Sequence, residues 1–501
     1  MKWLGTLPLF VILLGIAVLS MYVPMLFAIR LEDWLVARTY FYYTTVLLIV
    51  LAMIAVATSG YVPRNTARSY LLTVFAALIT IPAILALPID RLVGSVNYFQ
   101  AYFEMLSSLT TTGATLFSDP KSLPAPLHLM RALTGWLGGF LMLVVALSIF
   151  APLNIGGFEM FVSDQSHKKS SLRFERADAA HRLTRYSRQI FPAYTLVTAV
   201  LAFVLLVSGD RSLVAVSHAM SILSTSGISP VGGLQGASSG FIGEMLMFLF
   251  LIFAVSRHTL LHDRDGQAWT NLKNDKEIFL MLGCVVVIPV LLFLRHWTAA
   301  FEVEAHNDLS SAISALWGSI FTVLSFLTTT GFESTAWGEA RSWSGLGTTG
   351  IILMGLAIMG GGVATTAGGV KLLRIYALYK HGQREIARLS YPNSVGGSSS
   401  RARVIRREGA YVAWIFLMIF LLSLAVTALA LSLTGLNFQD SLVFAVAGLA
   451  TTGPVVQVAS DSGLGFAGVS DAAKGILCVA MVLGRLEALA VIALLNPNFW
   501  R

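Results

Sequence analysis

Charge is what this sequence has least of. Only 12% of its 501 residues are Asp, Glu, Lys or Arg, about half the ~25% of an ordinary soluble domain. Cysteine is nearly absent: Cys284 and Cys478 each stand in an apolar run, which argues against a disulfide framework and leaves no paired-thiol metal site. There is no His-Glu-x-x-His and no Gly-x-x-x-x-Gly-Lys-[Ser/Thr], so zinc-protease chemistry and ATP hydrolysis have no seat in the chain. No apolar run carries a pair of carboxylates, and the nine histidines are scattered mostly near the ends of those runs. What is abundant is hydrophobicity, 56% of all residues, with a mean hydropathy of +0.75. A soluble core cannot hide that much apolar surface, so the solvent that suits this chain is a bilayer.

Ten apolar stretches are long enough for ~30 Å of hydrocarbon, which takes about 20 residues. They lie near 4–29, 40–60, 68–88, 127–150, 190–208, 240–258, 277–298, 346–374, 409–434 and 473–495. The first lacks a small-residue cleavage site and reads as a retained helix. The connections 1–3, 61–68, 151–188, 257–277, 371–408 and 501 hold 24 Lys/Arg and 10 Asp/Glu, the opposite connections 9 and 15. The positive-inside rule makes the first set cytoplasmic, with both termini inside a plasma membrane. A net charge of +8 would suggest nucleic acid for a soluble chain. Here it collects in residues 168–188 and 371–407, facing anionic lipid headgroups or a cytoplasmic partner.

Four further apolar segments, 99–109, 213–223, 309–327 and 442–449, read as too short to span, as re-entrant segments are. Each runs into a near-identical string: SSLTTTGAT at 107–115, SILSTSGIS at 221–229, SFLTTTGFE at 325–333 and AGLATTGPV at 447–455. Gly113, Gly227, Gly331 and Gly453 are spaced by 114, 104 and 122 residues. The chain is therefore four copies of helix, short pore helix, [Ser/Thr]-x-Gly segment and helix, behind an extra hairpin. The expected units are the hairpin 1–67, repeat 1 over 68–150, a linker 151–188 and repeat 2 over 189–258. A linker 259–276, repeat 3 over 277–378, a linker 379–408 and repeat 4 over 409–501 complete it.

Irregular backbone at membrane depth survives only where protein or a water-filled cavity surrounds it. Four such segments around one axis can aim carbonyl oxygens inward and replace the hydration shell of a cation. Glycine suits this because it accepts positive φ, hydroxyls brace the segment from behind, and the pore helices end with their negative poles toward the centre. An anion site would need helix N-termini or an arginine ring. An all-backbone ring suits a large, weakly hydrated cation better than Mg²⁺. No acidic ring stands at equivalent positions either: Glu333 in the third copy is Thr115, Ser229 and Val455 in the others.

Two departures from the repeat stand out. The stretch 346–374 is interrupted by Gly360, Gly361, Gly362, Val363, Ala364, Thr365, Thr366, Ala367, Gly368 and Gly369, followed by Lys371. Five glycines at roughly 1 kcal/mol each break a helix, so a flexible loop is expected below the third filter segment, as a plug of the inner pore. Arg485 sits within the last apolar stretch, where a charge faces water or the protein interior. The expected place is under the filter, tethering the loop through backbone carbonyls. Glu487, two residues on, does not share its face.

With these features the chain resembles the Trk/Ktr/HKT potassium-transporter superfamily, the TrkH-type membrane subunit above all. The resemblance rests on the four pore-loop repeats over 68–501, the N-terminal hairpin and the Gly-rich run at 360–371. It rests also on the ending Gly484-Arg485-Leu486-Glu487 with Pro497-Asn498-Phe499-Trp500-Arg501. It implies an all-α polytopic membrane protein in pseudo-fourfold arrangement, a homodimer, and a cytoplasmic nucleotide-binding regulatory subunit. It also implies K⁺ as permeant ion, without a further cofactor. By position, the K⁺-binding residues are Thr111, Thr112, Gly113, Thr225, Ser226, Gly227, Thr329, Thr330, Gly331, Thr451, Thr452 and Gly453. The gate falls on Gly360, Gly361, Gly362, Thr365, Thr366, Gly368, Gly369, Lys371 and Arg485. The loop has fewer Ser and Gly than the family tends to carry, and the fourth filter reads Ala450-Thr451-Thr452-Gly453-Pro454 where relatives often have Asn. Two other readings stand beside a K⁺ filter: a Na⁺- or H⁺-coupled transporter with broken helices, and a pore of relaxed K⁺/Na⁺ selectivity.

Overall fold

The computed structural model describes residues 7–60, 66–151, 179–255, 275–298, 309–390, 400–460 and 463–486. Regular structure among them is helical throughout. Helices α1 (Leu9–Ser20), α2 (Tyr22–Arg30) and α3 (Trp34–Ala57) form the N-terminal hairpin. The turn into α3 is capped by Asp33, whose carboxylate accepts the Val36 N–H at 3.2 Å.

Repeat 1 is α4 (Thr66–Leu92), pore helix α5 (Tyr98–Leu109) and α6 (Ala125–Val145). Repeat 2 is α7 (Ala179–Val207), pore helix α8 (Ser212–Ser224) and α9 (Gly240–Leu251). Repeat 3 is α10 (Lys276–Thr298), pore helix α11 (Leu309–Leu327), α12 (Trp337–Ser344), α13 (Thr349–Met359) and α14 (Leu372–Ser390). Repeat 4 is α15 (Ser400–Ser432), pore helix α16 (Phe438–Leu449), α17 (Val455–Ala459) and α18 (Asp471–Leu486).

The packing repeats as the sequence does. The first helix of each repeat lies on its own pore helix: α4 on α5, α7 on α8, α10 on α11, α15 on α16. The second helix of each lies on the pore helix of the next: α6 on α8, α9 on α11, α13 on α16, and α18 back on α5. That last contact closes a ring. The hairpin stands outside it, with α1 against α4 and α2 against α6.

Eight stretches among the described residues are long and apolar enough to cross a membrane. Seven coincide with expected spans, and the eighth, Ser310–Leu327, is pore helix α11, longer than a re-entrant helix needs to be. The other three expected spans differ. The stretch at 240–258 is the short α9 followed by a 3₁₀ turn at Ile252–Ala254. The stretch at 473–495 is described only through Leu486. The stretch at 346–374 divides into α13, a loop and α14, with α12 and α13 bent 118° apart. The glycine run at 360–369 supplies the reason for the loop between α13 and α14, since it cannot hold helical φ/ψ cheaply, while the bend between α12 and α13 falls at the left-handed Gly345. Large apolar side chains such as Trp34, Phe203, Phe279 and Leu422 are exposed on the outer faces of spanning helices, as a lipid solvent allows. Much of the basic connectors (152–178, 256–274 and 391–399), together with Glu487 and the C-terminal residues, lies outside the described residues.

Candidate functional site

All four pore helices end in the same way. A left-handed residue follows the last turn, and two backbone bonds close it: Thr112 N–H to Ser107 O at 2.8 Å and Thr111 N–H to Ser108 O at 3.0 Å in repeat 1. The corresponding pairs are Ser226 to Ser221 (3.0 Å) with Thr225 to Ile222 (3.3 Å), and Thr330 to Ser325 (2.9 Å) with Thr329 to Phe326 (3.1 Å). In repeat 4 they are Thr452 to Ala447 (2.9 Å) with Thr451 to Gly448 (3.3 Å). This is the Schellman cap, which normally recruits glycine. Here the left-handed residue is threonine every time, with φ of 56°, 53°, 58° and 52° at Thr111, Thr225, Thr329 and Thr451. A β-branched residue at positive φ is a true outlier costing on the order of 1–3 kcal/mol, and such strain clusters at functional sites. From the sequence, positive φ is expected of the four glycines and not of the threonines. Gly113, Gly227 and Gly331 have it, at 71°, 63° and 81°, and Gly453 does not. The available signal is that Thr is unvaried at this register, whereas the next position is Ser in repeat 2 and Thr in the other three.

The four segments meet. A Cβ on Gly113 would strike the Ser226 carbonyl oxygen, and one on Gly227 the Thr330 carbonyl oxygen. One on Gly331 would lie 2.9 Å from the Pro454 ring, and one on Gly453 would strike the Ala114 backbone. Each glycine therefore abuts the next repeat, in cyclic order, and Gly453 N–H donates to Thr112 O at 2.6 Å. The hydroxyls sit behind: Thr110 with Thr112 at 2.9 Å, Ser224 with Ser226 at 3.0 Å, Thr328 with Thr330 at 3.1 Å. Repeat 4 has Ala450 in that place, and the Thr452 hydroxyl turns to the Ala450 carbonyl at 3.1 Å.

A second tier of anchors, not expected from the repeat motif, braces the segments. Glu104, on α5, is 1% exposed and pairs with Arg131 of α6 at 2.6 Å, while its other oxygen accepts the Leu116 N–H at 2.9 Å. Nine residues before each filter glycine the copies read Glu104, His218, Thr322 and Phe444. His218 Nε2 lies 2.9 Å from the Ser229 hydroxyl, and Thr322 Oγ1 accepts the Ser334 N–H at 3.2 Å. Glu244 of α9 also holds the third exit, accepting from Ser334 Oγ and Thr335 N at 2.6 Å each. In repeat 4, Phe444 instead packs edge-on against Phe466, and Asp440 receives the Ser460 hydroxyl at 2.9 Å. A polar side chain inside an apolar pore helix was the available clue.

Beneath the ring lies the glycine-rich loop, buried from Gly360 through Lys371. Its neck is closed by Val370 N–H to Ile358 O (2.9 Å), Lys371 N–H to Met359 O (3.0 Å) and Leu372 N–H to Gly361 O (3.0 Å). Gly360, Ala364, Gly369 and Lys371 have positive φ. A Cβ on Gly361 would crowd the Ala367 methyl, and one on Gly362 would strike the Val255 carbonyl. Its tip touches all sides: Gly368 N–H donates to the Thr329 hydroxyl at 2.7 Å, and Thr366 Oγ1 donates to Leu223 O at 3.2 Å. Val363 N–H donates to Glu277 at 2.7 Å, and Arg485 Nη1 donates to Thr366 O at 2.6 Å. Thr365 Oγ1 closes on Gly362 O at 2.7 Å, and Lys371 Nζ donates to Ala367 O. A Cβ on Gly368 would meet the Ala450 carbonyl and the Thr451 hydroxyl. The structure thus brings the twelve positions expected to form a filter, the loop and Arg485 into one contiguous site. No group of three or more His, Cys, Asp or Glu among the described residues could hold a metal ion.

The arrangement has known relatives. Over 404 residues the chain is 28% identical to the Trk system potassium uptake protein TrkH of Salmonella typhimurium, covering 80% of this chain and 79% of that one. It is 28% identical over 439 residues to TrkI of Halomonas elongata, covering 84% and 82%. The crystal structure of the potassium transporter TrkH from Vibrio parahaemolyticus matches it with a TM-score of 0.79, at 25% identity, over 100% of both chains. The model of the TrkH family, described as cation transport protein, matches residues 74–241 and 273–500. This chain belongs to the TrkH family, and is a multi-span membrane transport protein and not an enzyme.

Proposed function

We propose that this chain forms the K⁺-conducting pore of a potassium-uptake system in a plasma membrane, with both termini on the cytoplasmic side. The observation that carries the reading is the cyclic meeting of four Thr-x-Gly segments at the C-terminal ends of four pore helices. Four helix ends, each equivalent to roughly half a negative charge before screening, favour a cation at their centre. Backbone oxygens of Thr111, Thr112 and Gly113 and of their counterparts in the other repeats replace its water. The loop at 360–369, with Lys371 and Arg485, stands across the inner path as the gate. The relatives named above are potassium uptake proteins of a Trk system, and that supports K⁺ as cargo. A system of several components also supports a cytoplasmic regulatory subunit that binds nucleotide, acting on a homodimer of this chain.

The test is flux into vesicles carrying the purified protein, with K⁺, Rb⁺ or Na⁺ as the only permeant cation. K⁺ and Rb⁺ enter and Na⁺ is largely refused; equal entry of all three overturns the selective filter. Shortening the loop between Gly360 and Gly369 raises resting flux, and unchanged flux reduces the loop to packing. A second reading, a pore of relaxed selectivity, draws support from Gly453: it lacks the positive φ of the other three.

A further inference from the structure

A cavity of about 920 Å³ opens between the N-terminal hairpin and repeats 1 and 2, bounded by α1, α4, α6 and α7. Its size is near the upper end of the roughly 300–1,000 Å³ of small-molecule sites. The deep part is apolar: Leu13, Ile16, Val74, Ile81, Leu137 and Phe140 line it. Ser20 and Thr134 also border it, but their hydroxyls are spent on their own helices, bonding Ala17 O at 2.6 Å and Met130 O at 2.8 Å. The polar residues gather where α4 and α7 begin: Ser69, Tyr70, Thr184, Ser187 and Arg188. By the charge rule that end is cytoplasmic. Ser69, Ser187 and Arg188 make no hydrogen bond or ion pair among the described residues. Along α4 the lining runs from Ser69 to Leu85, about 24 Å at 1.5 Å per residue.

We propose that this cavity binds one anionic glycerophospholipid of the inner leaflet, with its phosphate at Arg188 and Ser187 and an acyl chain along α4. Charge complementarity selects the occupant. An apolar slot of leaflet depth with one cationic mouth fits an amphiphile with a single anionic head. A basic pocket between spanning helices on the cytoplasmic side is the chemistry such heads seek. The chain would end against Leu109, the last residue of pore helix α5, whose carbonyl lies against Gly138. One wall is Trp136, which stacks on Tyr194 at 5.0 Å and donates to Thr198 at 3.0 Å. The site stands whether or not the filter discriminates K⁺.

The experiment uses the full chain in detergent, stripped of lipid and then offered vesicles of phosphatidylglycerol or of phosphatidylcholine, with bound lipid counted by native mass spectrometry. Inorganic phosphate alone is a third arm. One phosphatidylglycerol per chain is expected, in preference to phosphatidylcholine. Arg188→Gln should weaken it about fivefold, the scale of one basic residue near an anionic surface, and Arg188→Lys should restore most of it. Leu137→Trp, which fills the slot, should exclude lipid, while Val200→Trp on the outer face of α7 should not. Equal binding of both lipids, indifference to Arg188→Gln, or competition by inorganic phosphate alone would overturn the proposal. So would a second copy of the chain occupying the crevice in place of lipid.

Discussion

In repeat 1 the proposed filter segment is held from behind by a hydroxyl pair, Thr110 with Thr112, and by a buried carboxylate, Glu104, locked to Arg131. In repeat 4 the same two places are Ala450 and Phe444. Gly113 is left-handed; Gly453 is not, and its N–H is bonded to repeat 1. What the two share is the Schellman cap with its strained threonine and a glycine pressed against a neighbouring backbone. The invariant parts form the ring, whereas the rear bracing differs between quadrants. Repeat 4 is the quadrant held most by apolar contact.

Substitutions can widen or close that contrast. The largest effect is expected from Glu104→Gln, which leaves Arg131 buried and uncompensated, a change that typically costs 3–5 kcal/mol. Thermal unfolding in detergent should register it. The double variant Glu104→Gln with Arg131→Met should recover most of the loss, and Phe444→Leu at the matching position of repeat 4 should cost far less. Next comes Gly113→Ala. Its new methyl meets a backbone carbonyl, so K⁺ uptake should fall by one to two orders of magnitude, the scale of the ~1–3 kcal/mol of overpacking. Gly331→Ala meets the Pro454 ring instead, so adding Pro454→Ala should restore part of its uptake, whereas no side-chain change should rescue Gly113→Ala. The smallest effect is reserved for Ala450→Ser. It offers Thr452 the hydroxyl partner the other quadrants have, and a net ~1 kcal/mol per bond predicts a severalfold gain in K⁺ over Na⁺ permeability.

Much of this was legible because repetition makes weak signals strong. One Thr-Thr-Gly says nothing, but four at corresponding places define the repeat, and a closed ring is the packing that treats four copies alike. The broken helix at 346–374 was legible from its glycines. The threonine caps were not, because propensity argues against a β-branched residue at positive φ, and only the surrounding helix ends impose it. The partners of the loop were legible only in part. Arg485, a charge within an apolar run, is expected to reach the loop's carbonyls and does so at Thr366, whereas the Leu223 carbonyl that takes the Thr366 hydroxyl lies 143 residues away, and no local pattern encodes that pair. Glu104 was readable as an intramembrane acid, yet its mate Arg131 lies on a different helix, one that the composition makes mostly apolar.

The closed neck of the loop has a mechanical meaning. Three backbone rungs tie residues 358, 359 and 361 to residues 370, 371 and 372, so the ends of α13 and α14 are joined independently of the contacts made by the tip between them. Among the described residues, clearing the path in the proposed gate would break the tip's bonds to Thr329, Leu223, Glu277 and Arg485. At about 0.5–1.5 kcal/mol net for each of the two neutral bonds and about 1.5–3 for each of the two to charged side chains, the sum of about 4–9 kcal/mol brackets the ~5.5 kcal/mol needed to invert a two-state population from 1:99 to 99:1. In the proposed gate, an ordinary difference in affinity of an effector for the two loop positions is enough to throw such a latch.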